Sequence, residues 1–184
     1  MAQRFAKAVQ VALLVLFCLS LSVSVLVSDE QFTASKLKQE AVAPTRQYLD
    51  FVFFLASFPD IFQGNEASHM RDVAWLLRCA PILAVISALL LARFTGRKEW
   101  ASITNSTLST FVVIGLIAII TPFDAVFRIF HLVFFPQGNW TFPADSTLIS
   151  FYPQEFFAWY AVSWFCYALL TALVLKLLSR AIVE

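Results

Sequence analysis

The chain has 184 residues, 60% hydrophobic and only 14% charged, with a mean hydropathy of +0.76. A soluble domain of this size carries roughly a quarter charged residues, so the composition excludes a water-soluble globule and a disordered chain. Thirteen basic and twelve acidic residues leave a net charge of +1, which offers no basic field to nucleic acid. Twenty Phe and five Trp suit lipid as a solvent. The expected class is an all-α integral membrane protein, with residues 1–184 as a single membrane domain.

A helix needs about 20 apolar residues to cross a hydrocarbon core. Four runs qualify, at about 9–27, 73–92, 108–127 and 156–178. The third looks short at Leu108–Ile120, and Phe123, Phe127 and Phe130 are expected to extend it. Arg4 and Lys7 precede the first run as they would in a signal peptide. Its apolar stretch exceeds the ~7–15 residues usual there, so a retained helix is expected.

Charge placement predicts the sidedness. Arg4, Lys7, Arg93, Arg97, Lys98, Lys176 and Arg180 flank one set of span ends, against only Glu99 and Glu184. The segments at the opposite ends hold the remaining ten of the twelve acids, with Lys36, Lys38, Arg46, Arg71 and Arg128. The positive-inside pattern puts both termini in the cytoplasm. Residues 28–72 and 128–155 would then form a small extracytoplasmic cap. Within it, residues 48–58 (YLDFVFFLASF) are too apolar for water and too short to span. They read as an interfacial or re-entrant helix.

Cys18, Cys79 and Cys166 each lie in an apolar run and form no Cys-x-x-Cys pair. They read as small buried hydrophobes rather than as a disulfide or redox framework.

The two histidines both fall at outer ends of predicted spans. His69 stands three residues before Asp72, one helical face apart, so the carboxylate is placed to orient the imidazole. On a helix through 122–134, Asp124, Arg128 and His131 share a stripe. A lone interfacial His is usually a hydrogen-bonded bystander, but two on one side, each with a carboxylate at helical spacing, point to chemistry. Histidines also ligate metal and haem, yet both rings sit at the rim and not at matched depth inside a bundle. No metal and no cofactor are expected. Arg78 is the one charge well inside a predicted span, a functional candidate by default, with snorkelling as its bland alternative. After His131 comes an aromatic turn, Phe134-Phe135-Pro136-Gln137-Gly138-Asn139-Trp140. Asn139-Trp140-Thr141 also fits a glycosylation sequon, a common triplet.

Together these motifs resemble a known family. Glu66-x-x-His69-Met70-x-Asp72-Val73, then Phe130-His131-x-x-Phe134-Phe135-Pro136-x-Gly138-Asn139-Trp140-x-Phe142, then Leu148 and Tyr152-Pro153 are similar to the bacterial lipoprotein intramolecular transacylase (Lit) family. The resemblance covers most of the chain and both outer motifs. It implies a four-span enzyme of the bacterial cell membrane, working on its extracytoplasmic side without a cofactor. Its substrates would be lipoproteins whose N-terminal cysteine carries diacylglycerol and a free amine. The enzyme would move the sn-2 acyl chain onto that amine, giving the lyso-form.

The residues suit that chemistry. An ester-to-amide shift needs proximity, deprotonation and oxyanion stabilisation. A histidine is a suitable base for an α-ammonium of pKa near 8. No Gly-x-Ser-x-Gly elbow is present, consistent with direct attack. The expected catalytic set is His69 as general base oriented by Asp72, with His131 as proton donor or oxyanion partner; the two histidine roles are exchangeable. Asn139, Trp140 and Tyr152 are candidates for binding substrate, with Arg78 added though its role is open. The alternatives are another membrane-lipid acyl hydrolase or acyltransferase, and a non-enzymatic membrane anchor or haem-binding subunit.

Overall fold

The computed structural model describes residues 1–183, all of whose regular structure is helical. The helices are α1 (Ala2–Ser28), α2 (Glu30–Ser35), α3 (Gln39–Val52), α4 (Gly64–Phe94), α5 (Trp100–Ile120), α6 (Phe123–Phe134), α7 (Thr147–Phe151) and α8 (Gln154–Val183), with a 3-10 turn at Arg97–Glu99 before α5. Four are long and apolar enough to cross a membrane, over Gln3–Ser28, Gly64–Phe94, Arg97–Ile120 and Gln154–Arg180. These are the four runs legible in the sequence, each lengthened by flanking polar turns.

The third differs at its end. α5 stops at Ile120, and Phe123 and Phe127 belong to the separate helix α6. Pro122 causes the break. It sits at the N-cap of α6 with ψ of 137°, and its ring and missing N–H cannot continue a preceding helix.

Contacts cluster the chain into two compact units. The first comprises Met1–Ser24, Ala80–Ile120 and Ser163–Glu184. Its core is Leu14, Cys18, Leu91, Ile103, Phe111, Ala168 and Ala172. The α4–α5 turn is tied down by polar groups. Glu99 Oε2 accepts from Gly96 N at 2.7 Å and from Gln10 Nε2 at 3.3 Å, and Gln10 also donates to the Phe94 carbonyl at 2.9 Å. Trp164 Nε1 donates to the Leu19 carbonyl at 2.8 Å. Of the cysteines, Cys18 is buried but Cys166 is exposed, so the expectation of burial fails for the latter.

The second unit comprises Val25–Cys79 and Thr121–Val162. It is built on aromatic rings, with Phe62 stacked on Tyr152 at 6.4 Å and Phe156 5.2 Å from Tyr152. The short helices are capped by side chains. Asp29 Oδ1 accepts from Phe32 N at 2.9 Å to start α2, and Ser146 Oγ from Ile149 N at 3.2 Å to start α7. Glu66 Oε1 takes a further first-turn amide of α7, Leu148 N, at 3.0 Å. Residues 48–58, expected as one short helix, instead divide. α3 ends at Val52, and the following loop exposes Phe54 and Leu55 by 78% and 77%.

Phe111 is fully buried in the first unit's core, against Phe165 at 6.0 Å. Phe111→Ala is expected to cost about 3–5 kcal/mol. A large fall in the thermal unfolding midpoint in detergent would register it.

Candidate active site

His69 lies in the second turn of α4, and His131 near the end of α6, both in the second unit. They are 5% and 6% exposed, and their ring centroids are 5.7 Å apart with planes 28° from parallel. The sequence placed them on one side; the structure sets them face to face. Aromatic rings enclose the pair. Phe127 is 4.1 Å and Trp140 5.0 Å from His131, and Phe135 is 4.7 Å and Phe142 5.7 Å from His69.

The tautomer of His131 follows from its one hydrogen bond. Nδ1 is 2.8 Å from the Phe127 carbonyl, one helical turn back. A carbonyl only accepts, so Nδ1 carries the proton and neutral His131 keeps its lone pair on Nε2. Burial pushes the His131 imidazole below its ordinary value, and the Phe127 bond opposes this in part. Asp124, Arg128 and His131 share α6 at the spacing read from the sequence, but the carboxylate does not serve the histidine. Asp124 and Arg128 are exposed, and Asp124 accepts from Gln154 Nε2 rather than from His131.

Asp72 does not touch His69 by a hydrogen bond. Its Oδ2 accepts from Gln137 Nε2 at 2.8 Å and Asn139 Nδ2 at 2.7 Å, and Asn139 Nδ2 also reaches Ser68 Oγ at 3.0 Å. The turn between α6 and α7 makes this clamp possible. Gly138 N donates to the Phe135 carbonyl at 3.1 Å, and Gly138 itself has φ of +78°. Nothing lies within 4 Å of where a Cβ would stand, so conformation and not space calls for glycine here. With that reversal both neighbouring amides bind one carboxylate. Within this unit's described residues, the buried side-chain atoms without a hydrogen bond are His69 Nδ1 and Asn139 Oδ1.

Other candidates find structural employment. Arg78 Nε and Nη2 donate to the carbonyls of Val52 (2.9 Å) and Phe51 (2.5 Å). They cap the open C-terminal end of α3. The guanidinium also lies 4.6 Å from the Phe51 ring and 4.0 Å from Phe54, whose φ of 63° is unusual for so bulky a residue. Arg78 therefore neither snorkels nor faces the histidines. Tyr152 is buried, with its hydroxyl 2.9 Å from Thr45 Oγ1. Thr45 spends its own proton on the Ala41 carbonyl at 2.6 Å, so Tyr152 must be the donor. Burial pushes the Tyr152 phenol up to about 12. Trp140 stays with the site, packed on His131.

The residues that sequence reading missed are Gln137, Ser68, Phe135, Phe142 and the Phe127 carbonyl. Gln137 had a signal in the Pro136-Gln137-Gly138-Asn139 turn, and Phe135 and Phe142 in the motif around it, without a role assigned to any of the three. Among the described residues, no three or more His, Cys, Asp or Glu side chains gather as a metal site would need.

A family model described as lipoprotein intramolecular transacylase Lit matches residues 8–157, and the chain belongs to that family. No curated protein and no solved structure matches the chain.

Two outcomes follow from this geometry. Arg78→Met strips charged donors from two carbonyls, and a loss of about 3–6 kcal/mol is expected at roughly 1.5–3 per such bond, seen as a lower melting midpoint. The second concerns pH. His131 binds a proton less readily folded than unfolded, where it titrates near 6.5. Its contribution is neutral above that value and destabilising as pH falls through it. Melting midpoints should drop below pH 6.5 more steeply in the wild type than in His131→Gln.

Proposed function

We propose that this transacylase moves the sn-2 acyl chain of a diacylglyceryl-cysteine lipoprotein to the α-amino group of the same cysteine, with His69 and His131 as its acid–base pair. The observation that carries the reading is the pair itself: two buried imidazoles 5.7 Å apart in an aromatic enclosure, one with its Nε2 lone pair fixed by a backbone bond. The enzyme needs no cofactor, because donor and acceptor are parts of one molecule.

The proton count suits two bases. The substrate arrives as an ammonium. His69 takes one proton and leaves a nucleophilic amine, which attacks the ester carbonyl and forms the C–N bond. The amine must shed a second proton, which passes to His131 Nε2. His69 returns its own to the glycerol oxygen as the C–O bond breaks. One amide, one free hydroxyl and one proton released to solvent balance the starting ammonium and ester. Two imidazolium charges 5.7 Å apart would repel by about 3 kcal/mol at an effective dielectric near 20. That repulsion favours giving up the first proton as the second is taken.

The surroundings support the same reading. Trp140, Phe127, Phe135 and Phe142 offer apolar walls to acyl chains while keeping bulk water from the reacting ester. Charge placement along the chain supports a site on the extracytoplasmic side of the bacterial membrane, with both termini in the cytoplasm. Diacylglyceryl-cysteine lipoproteins present their ester and amine on that side.

The test is to incubate the purified protein with a diacylglyceryl-cysteine lipopeptide and fragment the product by mass spectrometry. Parent mass is unchanged by an internal shift, so the fragments must locate the acyl chain. The expected result is a chain on nitrogen, with the rate lowered about 10²–10⁴-fold in His69→Ala and in His131→Ala. A product lighter by one acyl group would replace this reading with a hydrolase.

A further inference from the structure

The remaining question in the site is what holds His69, which has no backbone partner like that of His131. His69 Nδ1 is buried and makes no hydrogen bond of normal geometry; so is Asn139 Oδ1. Their placement follows from α4. Asn139 Nδ2 bonds Ser68 and Asp72, the residue before His69 and the one three after it, so the amide lies across the turn that carries the imidazole.

The orientation of that amide is not free. Ionised Asp72 can only accept, so the Asn139 atom 2.7 Å from it must be the NH2 group. The carbonyl oxygen Oδ1 is then the atom turned away, and an oxygen can only accept in turn. A neutral imidazole beside it gains by presenting an N–H. Catalytic hydrogen bonds are often slack without substrate and tighten when it binds, which accounts for two buried unpaired atoms at one turn of α4.

We propose that Asn139 is the positioning residue of His69: its Oδ1 accepts from His69 Nδ1–H, and Asp72 fixes that orientation by holding Asn139 Nδ2. The carboxylate thus acts on the histidine through an intervening amide. His69 is thereby set in the same tautomer as His131, with both Nε2 lone pairs available for the two protons of the amine. Gln137, bound to the same carboxylate oxygen at 2.8 Å, steadies Asp72 but does not choose the tautomer. The inference rests on the acid–base reading of the pair.

Its test needs no turnover. The chain has only two histidines, so protein labelled with ¹⁵N-histidine in lipid nanodiscs gives two ring systems, assigned by His69→Ala and His131→Ala. Near pH 7.5, both rings are expected to show pyrrole-type Nδ1 and pyridine-type Nε2. In Asn139→Ala the His69 signals should move toward mixed tautomers, while Gln137→Ala leaves them in place. His131, fixed by Phe127 within α6, reports whether the fold survives. Should its signals shift in Asn139→Ala, Asp72→Asn decides: an uncharged amide lets Asn139 flip, and the His69 tautomers should again mix. A wild-type His69 protonated on Nε2, or one indifferent to both Asn139→Ala and Asp72→Asn, overturns the proposal. So does a Gln137→Ala protein as mixed as Asn139→Ala. If the tautomers behave as expected and the lipopeptide assay yields no N-acyl product, the transacylase mechanism fails and the positioning role stands.

Discussion

The carboxylate of Asp72 is the constraint on which the site depends. It accepts hydrogen bonds and cannot give them, so each amide brought to it must arrive nitrogen first. Gln137 and Asn139 both do so, at 2.8 and 2.7 Å. That requirement fixes the loop after α6 against the first turns of α4. The loop carries Trp140 to His131 and Phe142 to His69. Gly138 makes the arrangement geometrically possible, since its φ of +78° reverses the chain between the two amides. The Asp72 carboxylate is thus the cause of the amide orientation and of the loop's attachment to α4.

Enclosing His131 in phenylalanine and tryptophan disfavours its charged form, which is what the proposed chemistry requires. A base already protonated is useless to an attacking amine. Burial lowers the proton affinity of His131 while the Phe127 carbonyl holds its ring in one tautomer. The two effects divide the work, desolvation setting the charge state and the backbone bond setting the direction of the lone pair. The same apolar rings that discourage charge on imidazole are compatible with fatty acyl chains. In the proposed reaction one set of side chains would serve both the histidine pair and a lipid substrate.

The four long helices were legible because a hydrocarbon solvent demands length and apolarity, which are written plainly in composition. The histidines were legible as costly residues near span ends. The break between α5 and α6 was hidden by the aromatic residues after Pro122, whose apolar character imitates a continuing span. Arg78 looked functional because a charge in an apolar run usually is. Its true partners are the carbonyls of Phe51 and Val52, some 26 residues away in sequence, and no local pattern announces a tertiary cap. The spacing of Asp72 after His69 suggested direct contact. The side chain turns instead to amides from a loop 65 and 67 residues distant, which periodicity on one helix cannot register.

Satisfaction of buried polar groups then separates scaffold from site within this unit. Tyr48 donates to the Met70 carbonyl at 2.9 Å. Tyr152 donates to Thr45, which passes its own proton to Ala41; Tyr160 meets Thr33, which does the same to Asp29. Arg78 closes the end of α3. Each of these groups has at least one partner within the fold. Buried donors and acceptors are paired almost everywhere in folded proteins because leaving one bare costs about 1–3 kcal/mol. His69 Nδ1 and Asn139 Oδ1 are the exceptions here, and Asn139 is bound to the turn of α4 that carries His69. A fold that completes every other such bond in this unit and leaves these two unmade retains slack at the histidines proposed to react, where catalytic hydrogen bonds tighten on substrate.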